Sequence, residues 1–161
     1  MSPRPTPRDA APLEIHVASA GVRVSLARER VAALARAVLR AERVTRGSLS
    51  ITFVDTRTIA RLNREHLGHR GPTDIITFEL ATPARDTVSA DVYISPDVAR
   101  AQAAEYGCGV REELARLVVH GALHAVGWTH PEGDGRTASA MWRRQERLLA
   151  RFSASSSTVA A

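Results

Sequence analysis

Three histidines fall within eleven residues, HGALHAVGWTH, at positions 120, 124 and 130. The stretch before Gly127 has helical patterning, and residues four apart on a helix share a face, about 6 Å apart along its axis. His120 and His124 are therefore neighbours. Gly127 can supply the left-handed residue that ends a helix and turns the chain back, which returns His130 to the same point. Three converging imidazoles leave a fourth tetrahedral position open, the feature that distinguishes a catalytic site from a closed structural one. The expected ligands of one divalent ion per chain, Zn2+ first, are His120, His124 and His130. An ion held this way lowers the pKa of bound water toward about 7 and polarises a phosphoryl or carbonyl oxygen.

The spacing is also that of the metalloprotease pattern HExxHxxGxxH, in which the Glu after the first His is the general base. Here that position is Gly121. A hydrogen cannot take a proton, so the peptidase reading lacks its base. Phosphodiester hydrolysis fits the charge better. All 22 basic residues are Arg, set against 17 acids for a net charge of +5, with a pI near 10.8. A guanidinium fork donates two parallel hydrogen bonds to a phosphate. Arg in place of Lys also follows from GC-rich coding, so charge alone selects no partner.

The elements that must hold these residues can be outlined. At 161 residues, 44% hydrophobic and 24% charged, the chain has the length and composition of one globular domain. Strands are expected at 13–18, 47–54, 73–78 and 88–94, where apolar and β-branched residues alternate. Helices are expected at 26–42 with Ser25 as cap, after Asp55 or Thr56, at 96–106 behind Ser95-Pro96, at 110–126 and at 137–152. Arg36, Arg40 and Arg43 line one helix face, and Arg143, Arg144, Arg147 and Arg151 point outward from the last helix. Strands and helices mixed without strict alternation favour a single compact α/β (α+β) domain, a small mixed sheet packed with helices, over a doubly wound sheet. Residues 1–12 read as a disordered leader, 13–152 as the domain and 153–161 as a disordered tail. No run approaches the roughly 18 apolar residues of a membrane span, and the opening residues lack an apolar signal core. The one cysteine, Cys108, cannot form an intrachain disulfide, so a reducing cytoplasm is the expected compartment. Cys108 reads as an incidental thiol, and Glu113, seven residues before His120, as too far along its helix to ligate.

On these residues the sequence resembles the YbeY family of endoribonucleases. The resemblance lies in LNREHLGHRGPTDIITF (62–78), SADVYISPDVAR (89–100), the helix into HGALHAVGWTH (120–130) and the helix of Met141, together about residues 48–152. It implies a zincin-like three-His site and metal-dependent hydrolysis of single-stranded RNA. It also implies ribosomal RNA and the small ribosomal subunit as partners, with maturation of the 16S rRNA 3′ end and late-stage ribosome quality control as the setting. DNA and membranes are not expected partners. The family commonly carries an aromatic residue and then Arg after the Leu-Asn pair, where this chain has His66 and Leu67. Arg64, His66, His69 and Arg70 are the candidates to hold substrate instead. The residue before the third His is often Asp in the family and is Thr129 here. Thr73, Asp74 and Thr129 are the candidates to orient the imidazoles. The alternative to an enzyme is a ribosome-binding assembly factor with a structural zinc.

Overall fold

Arg46–Phe53 (β2) and Thr87–Ile94 (β4) alternate buried and half-buried side chains along their length. The buried set, Leu49, Ile51 and Phe53 on one and Val88, Ala90, Val92 and Ile94 on the other, covers one sheet face, as the two-residue strand period requires. In the computed structural model, which describes residues 11–157, these are the central strands of a four-stranded sheet of order β1-β2-β4-β3. Glu14–Ser19 (β1) and β4 both run parallel to β2, whereas Ile75–Glu79 (β3) pairs antiparallel with β4 and forms an edge. The fold is the mixed α/β domain expected from the sequence.

Two helices pack on the buried face, and a third packs against those two. Arg28–Ala41 (α1) contributes Val31, Ala35, Val38 and Leu39. Val110–Ala125 (α4) is buried along most of its length, from Leu114 through Ala125, and Ala140–Ser157 (α5) adds Met141, Leu148 and Leu149. A helix apolar nearly all round belongs in the middle, and α4 packs against α1, α5, β3, β4 and Pro96–Tyr106 (α3). Thr56–Leu67 (α2) belongs to a separate cluster, where Ile59 meets Val54 and Ile76 with Phe78 and Tyr93 beside them. The loop after α2 is tied down by buried Asn63, whose amide donates to the Gly71 carbonyl at 3.0 Å.

Several boundaries differ from expectation. The α1 N-cap is Ala27, without a side-chain bond. Ser25 lies before it, and its carbonyl instead accepts a hydrogen bond from Arg111 Nε at 3.0 Å. Strand β3 begins at Ile75, two residues later than expected. Thr137 falls in a short 3₁₀ segment, Gly133–Ala138; α5 is started by Ser139, whose hydroxyl accepts the Trp142 N–H at 3.1 Å. The same helix continues past Phe152 to Ser157, into the segment assigned to a tail. At the other end, Ala11 accepts from Gly47 N–H at 3.1 Å and Pro12 bridges to Arg46, so the last two residues of the expected leader are fixed to β2. The rest of the leader, 1–10, and the end of the tail, 158–161, lie outside the described residues. Arg144 turns inward to Glu42 at 2.7 Å, so the outward Arg row is interrupted.

Candidate metal centre

The last two turns of α4 carry His120 and His124, with ring centroids 4.5 Å apart. Beyond it, Gly127 has φ of 102°, and the Gly127 and Trp128 N–H groups bond back to the His124 and Leu123 carbonyls. This left-handed stop reverses the chain. His130 returns to 5.1 Å from His120 and 4.9 Å from His124, centroid to centroid. One potential ligand atom from each histidine lies within 4.8 Å of the others. The turn itself is anchored: the Trp128 indole donates to Glu42 at 3.2 Å, and Glu42 also takes the Arg144 guanidinium.

Each Nδ1 has an acceptor. His120 Nδ1 donates to Gln145 Oε1 at 2.6 Å, His124 Nδ1 to the Trp128 carbonyl at 2.8 Å, and His130 Nδ1 to the Pro131 carbonyl at 2.9 Å. The Gln145 orientation is set by its own amide nitrogen, which donates to Glu146 Oε2 at 3.3 Å. With the proton on Nδ1, every Nε2 keeps its lone pair, the arrangement in which imidazole binds a metal. Burial pushes the His120 pKa down to about 4, helped by His124 and opposed by the Gln145 bond. Burial likewise lowers that of His124, against the bond to Trp128. Both rings therefore stay neutral near pH 7. The donor set fits a divalent ion that prefers nitrogen, with these three residues holding it.

Gly121 explains the absence of a carboxylate beside the first ligand. A Cβ there would come within 2.9 Å of both Ile75 Cδ1 and Val92 Cγ1. Here α4 makes its close approach to β3 and β4, and any side chain at 121 would require Ile75 and Val92 to shift. Packing therefore disfavours a Glu at this position, which the sequence in any case lacks.

The centre opens on a groove of about 640 Å³. Residues 73–79 form one wall, along the edge strand; the three histidines, Glu132 and Arg136 form the other. A second cavity, of about 370 Å³, lies beside His120 and is lined by Glu112, Trp142 and Gln145 among others. Asp74, His120 and Arg136 belong to both.

The residues expected to assist the centre are placed as follows. Thr73 and Asp74 line the groove, but their recorded side-chain bond is to each other, at 3.3 Å. Thr129 lines the groove and is exposed. The bonds that orient the imidazoles come instead from Gln145 and from two main-chain carbonyls. Arg64, His66, His69 and Arg70 are all exposed and none lines the groove, whereas Leu67 does. His66 packs edge-on against Phe78, 5.2 Å between centroids. Glu113 is buried and paired with Arg116 at 2.9 Å, outside the histidine cluster. Cys108 touches the same pair, its sulfur 3.9 Å from Glu113 Oε2. Sequence reasoning missed Arg136 and the role of Gln145, although a lone amide on the apolar stripe Met141, Leu148, Leu149 was a usable signal.

Fold and centre together define a small α/β domain with a zincin-like cluster of three histidines able to hold a metal ion. The family model of endoribonuclease YbeY matches residues 16–153, and the chain belongs to that family. A relative named endoribonuclease YbeY from Synechococcus sp. is 40% identical over 108 residues, 63% of this chain and 64% of its own length. One of the same name from Frankia casuarinae is 37% identical over 133 residues, 75% of this chain and 65% of its own. The chain thus spans just under two thirds of the length of these two relatives. A Thermotoga maritima protein solved in solution shares the fold with a TM-score of 0.60 at 24% identity, covering 84% of this chain and 87% of its own. Among the described residues, no helix is long and apolar enough to cross a membrane.

Proposed function

We propose that this protein is a metal-dependent, single-strand-specific endoribonuclease, with Zn2+ as the ion. Its substrate would be ribosomal RNA of the small subunit, in maturation of the 16S rRNA 3′ end and late ribosome quality control, in the cytoplasm. The observation that carries the reading is the set of three Nε2 lone pairs opening on a groove without a protease base. The family membership and the printed name of the relatives support it.

When bound, the ion supplies Lewis acidity toward a phosphoryl oxygen and lowers the pKa of water. The chain supplies the rest. Gln145 and the Trp128 and Pro131 carbonyls hold the imidazoles in place. Arg136 stands at the junction of groove and cavity, close enough to His120 to disfavour its protonation. Its guanidinium takes the phosphate role that the sequence had offered to Arg64 and Arg70. The groove's carboxylates, Asp74 and Glu132 among them, are the groups available to accept a proton.

The test pairs metal content with cleavage of a labelled single-stranded rRNA fragment. The wild-type protein should carry one equivalent of zinc and cut; His124→Ala should lose both. Arg136→Gln should keep the metal and cut about tenfold or more slowly, the value of a bond to a charged group. Zinc without cutting would transfer the reading to a ribosome-assembly factor in which the metal is structural.

A further inference from the structure

The 370 Å³ cavity beside His120 extends away from the histidine cluster to residues the metal does not use, and it shares Asp74, His120 and Arg136 with the groove. Its size falls within the roughly 300–1,000 Å³ of small-ligand sites. Two of its lining residues form a cation–π pair, the Arg136 guanidinium carbon 5.7 Å from the centroid of the Trp142 ring. Both members present the planar π surface on which nucleic-acid bases stack. The lining is also rich in acceptors: Glu112, Glu113 and Glu146 belong to it, and all three are paired with the single guanidinium of Arg116 at 2.8–3.2 Å. Glu112 is half exposed and spends only Oε1 on that pairing, leaving Oε2 without a bond among the described residues.

Such a pocket is unsuited to phosphate, since four acids including Asp74 face two arginines, one already committed. It suits a flat group with N–H donors on its edge. Resting on the ribonuclease reading above, we propose that this cavity is a nucleobase subsite for a residue next to the scissile phosphate. The base stacks on the Arg136–Trp142 pair and is read by carboxylate acceptors, chiefly Glu112. Guanine, with N1–H and N2–H₂ side by side, ranks first. Adenine has one amino group. Uracil, whose single N–H lies between two carbonyls, ranks last because a carboxylate repels those oxygens.

The test is calorimetric titration of the metal-loaded protein with 5′-GMP, 5′-AMP and 5′-UMP, whose common phosphate cancels in the comparison. GMP should bind at least tenfold more tightly than UMP, with AMP between them. Trp142→Ala should weaken all three, by about 5- to 150-fold if stacking is lost, and Trp142→Phe should restore most of that. Glu112→Gln, at an exposed position, should bring GMP down to the AMP level with the fold intact. Equal binding of GMP and UMP, or a ratio unmoved by Glu112→Gln, overturns the subsite. The cleavage assay separates the two claims: base preference without cutting rejects the nuclease reading alone, and cutting without base preference rejects the subsite alone.

Discussion

Replacing Gln145 by Met would isolate the bond that orients His120. Gln145 is 1% exposed, and its contact to His120 Nδ1 is short at 2.6 Å. Met is close to Gln in volume and flexibility, which keeps the packing cost below about 1.5 kcal/mol. What is lost is the acceptor. An unpaired buried donor costs about 1–3 kcal/mol, and the ring can avoid that cost only by moving its proton to Nε2, the atom required for metal. Either route should lower metal affinity by about 10- to 100-fold, equivalent to about 1.4–2.7 kcal/mol. Gln145→Glu keeps an oxygen at the same distance and should bind metal within a few-fold of wild type. Competition for Zn2+ with a chromophoric chelator at pH 7 measures both variants, with urea midpoints to check the fold. If the Met variant binds zinc as tightly as the Glu variant, the hydrogen bond does not orient the ligand and the argument fails.

Other consequences concern stability. Gly121→Ala gains about 1 kcal/mol of helix propensity but forces a methyl to within 2.9 Å of Ile75 and Val92, at a cost of about 1–3 kcal/mol. A lower urea midpoint is expected, and an unchanged one would mean that the sheet yields there. Arg116→Met should destabilise by about 3–5 kcal/mol, because burial disfavours this guanidinium but three carboxylates outweigh that and raise its pKa. Most of the loss should return in the double variant with Glu113→Gln, read from the same denaturation curves. Acid gives a third case. In the metal-free protein the His120 pKa is lowered from 6.5 to about 4, so between those values the unfolded chain binds a proton that the folded chain does not. Stability should therefore decline as pH falls from about 6.5 through 4, by up to about 3 kcal/mol, and His120→Gln should flatten the decline. A slope indifferent to that substitution would show that other groups carry it.

The parts legible in the sequence are those whose determinants are local. Ligands within eleven residues need only a helix and a turn to meet, and Gly127 signals the turn. The central strands β2 and β4 alternate cleanly because one face meets the helices. What was hidden depends on packing between distant segments. Gln145 reaches His120 only because α5 lies along α4. Arg136 arrives through a 3₁₀ segment with two glycines, which carries no helical period to place it. Two helix starts differ from expectation: α5 begins behind Ser139 rather than at Thr137, and α1 follows Ala27, which offers no side-chain bond, rather than Ser25. Arg64 and Arg70 flank the Leu67 that lines the groove, yet their own side chains are not among its lining residues.

The order in which the centre is completed has a bearing on synthesis. Its three ligands end at residue 130 and Gln145 follows fifteen residues later. At about 5–20 residues per second that interval lasts roughly one to three seconds. The strands and α1 are translated first, so the sheet can form before the histidines exist, and the histidines exist before His120 is oriented. Orientation of His120 is thereby deferred until α5 has formed and docked on α4. On the reading proposed above, full metal affinity, and any cleavage that depends on it, would wait for that docking.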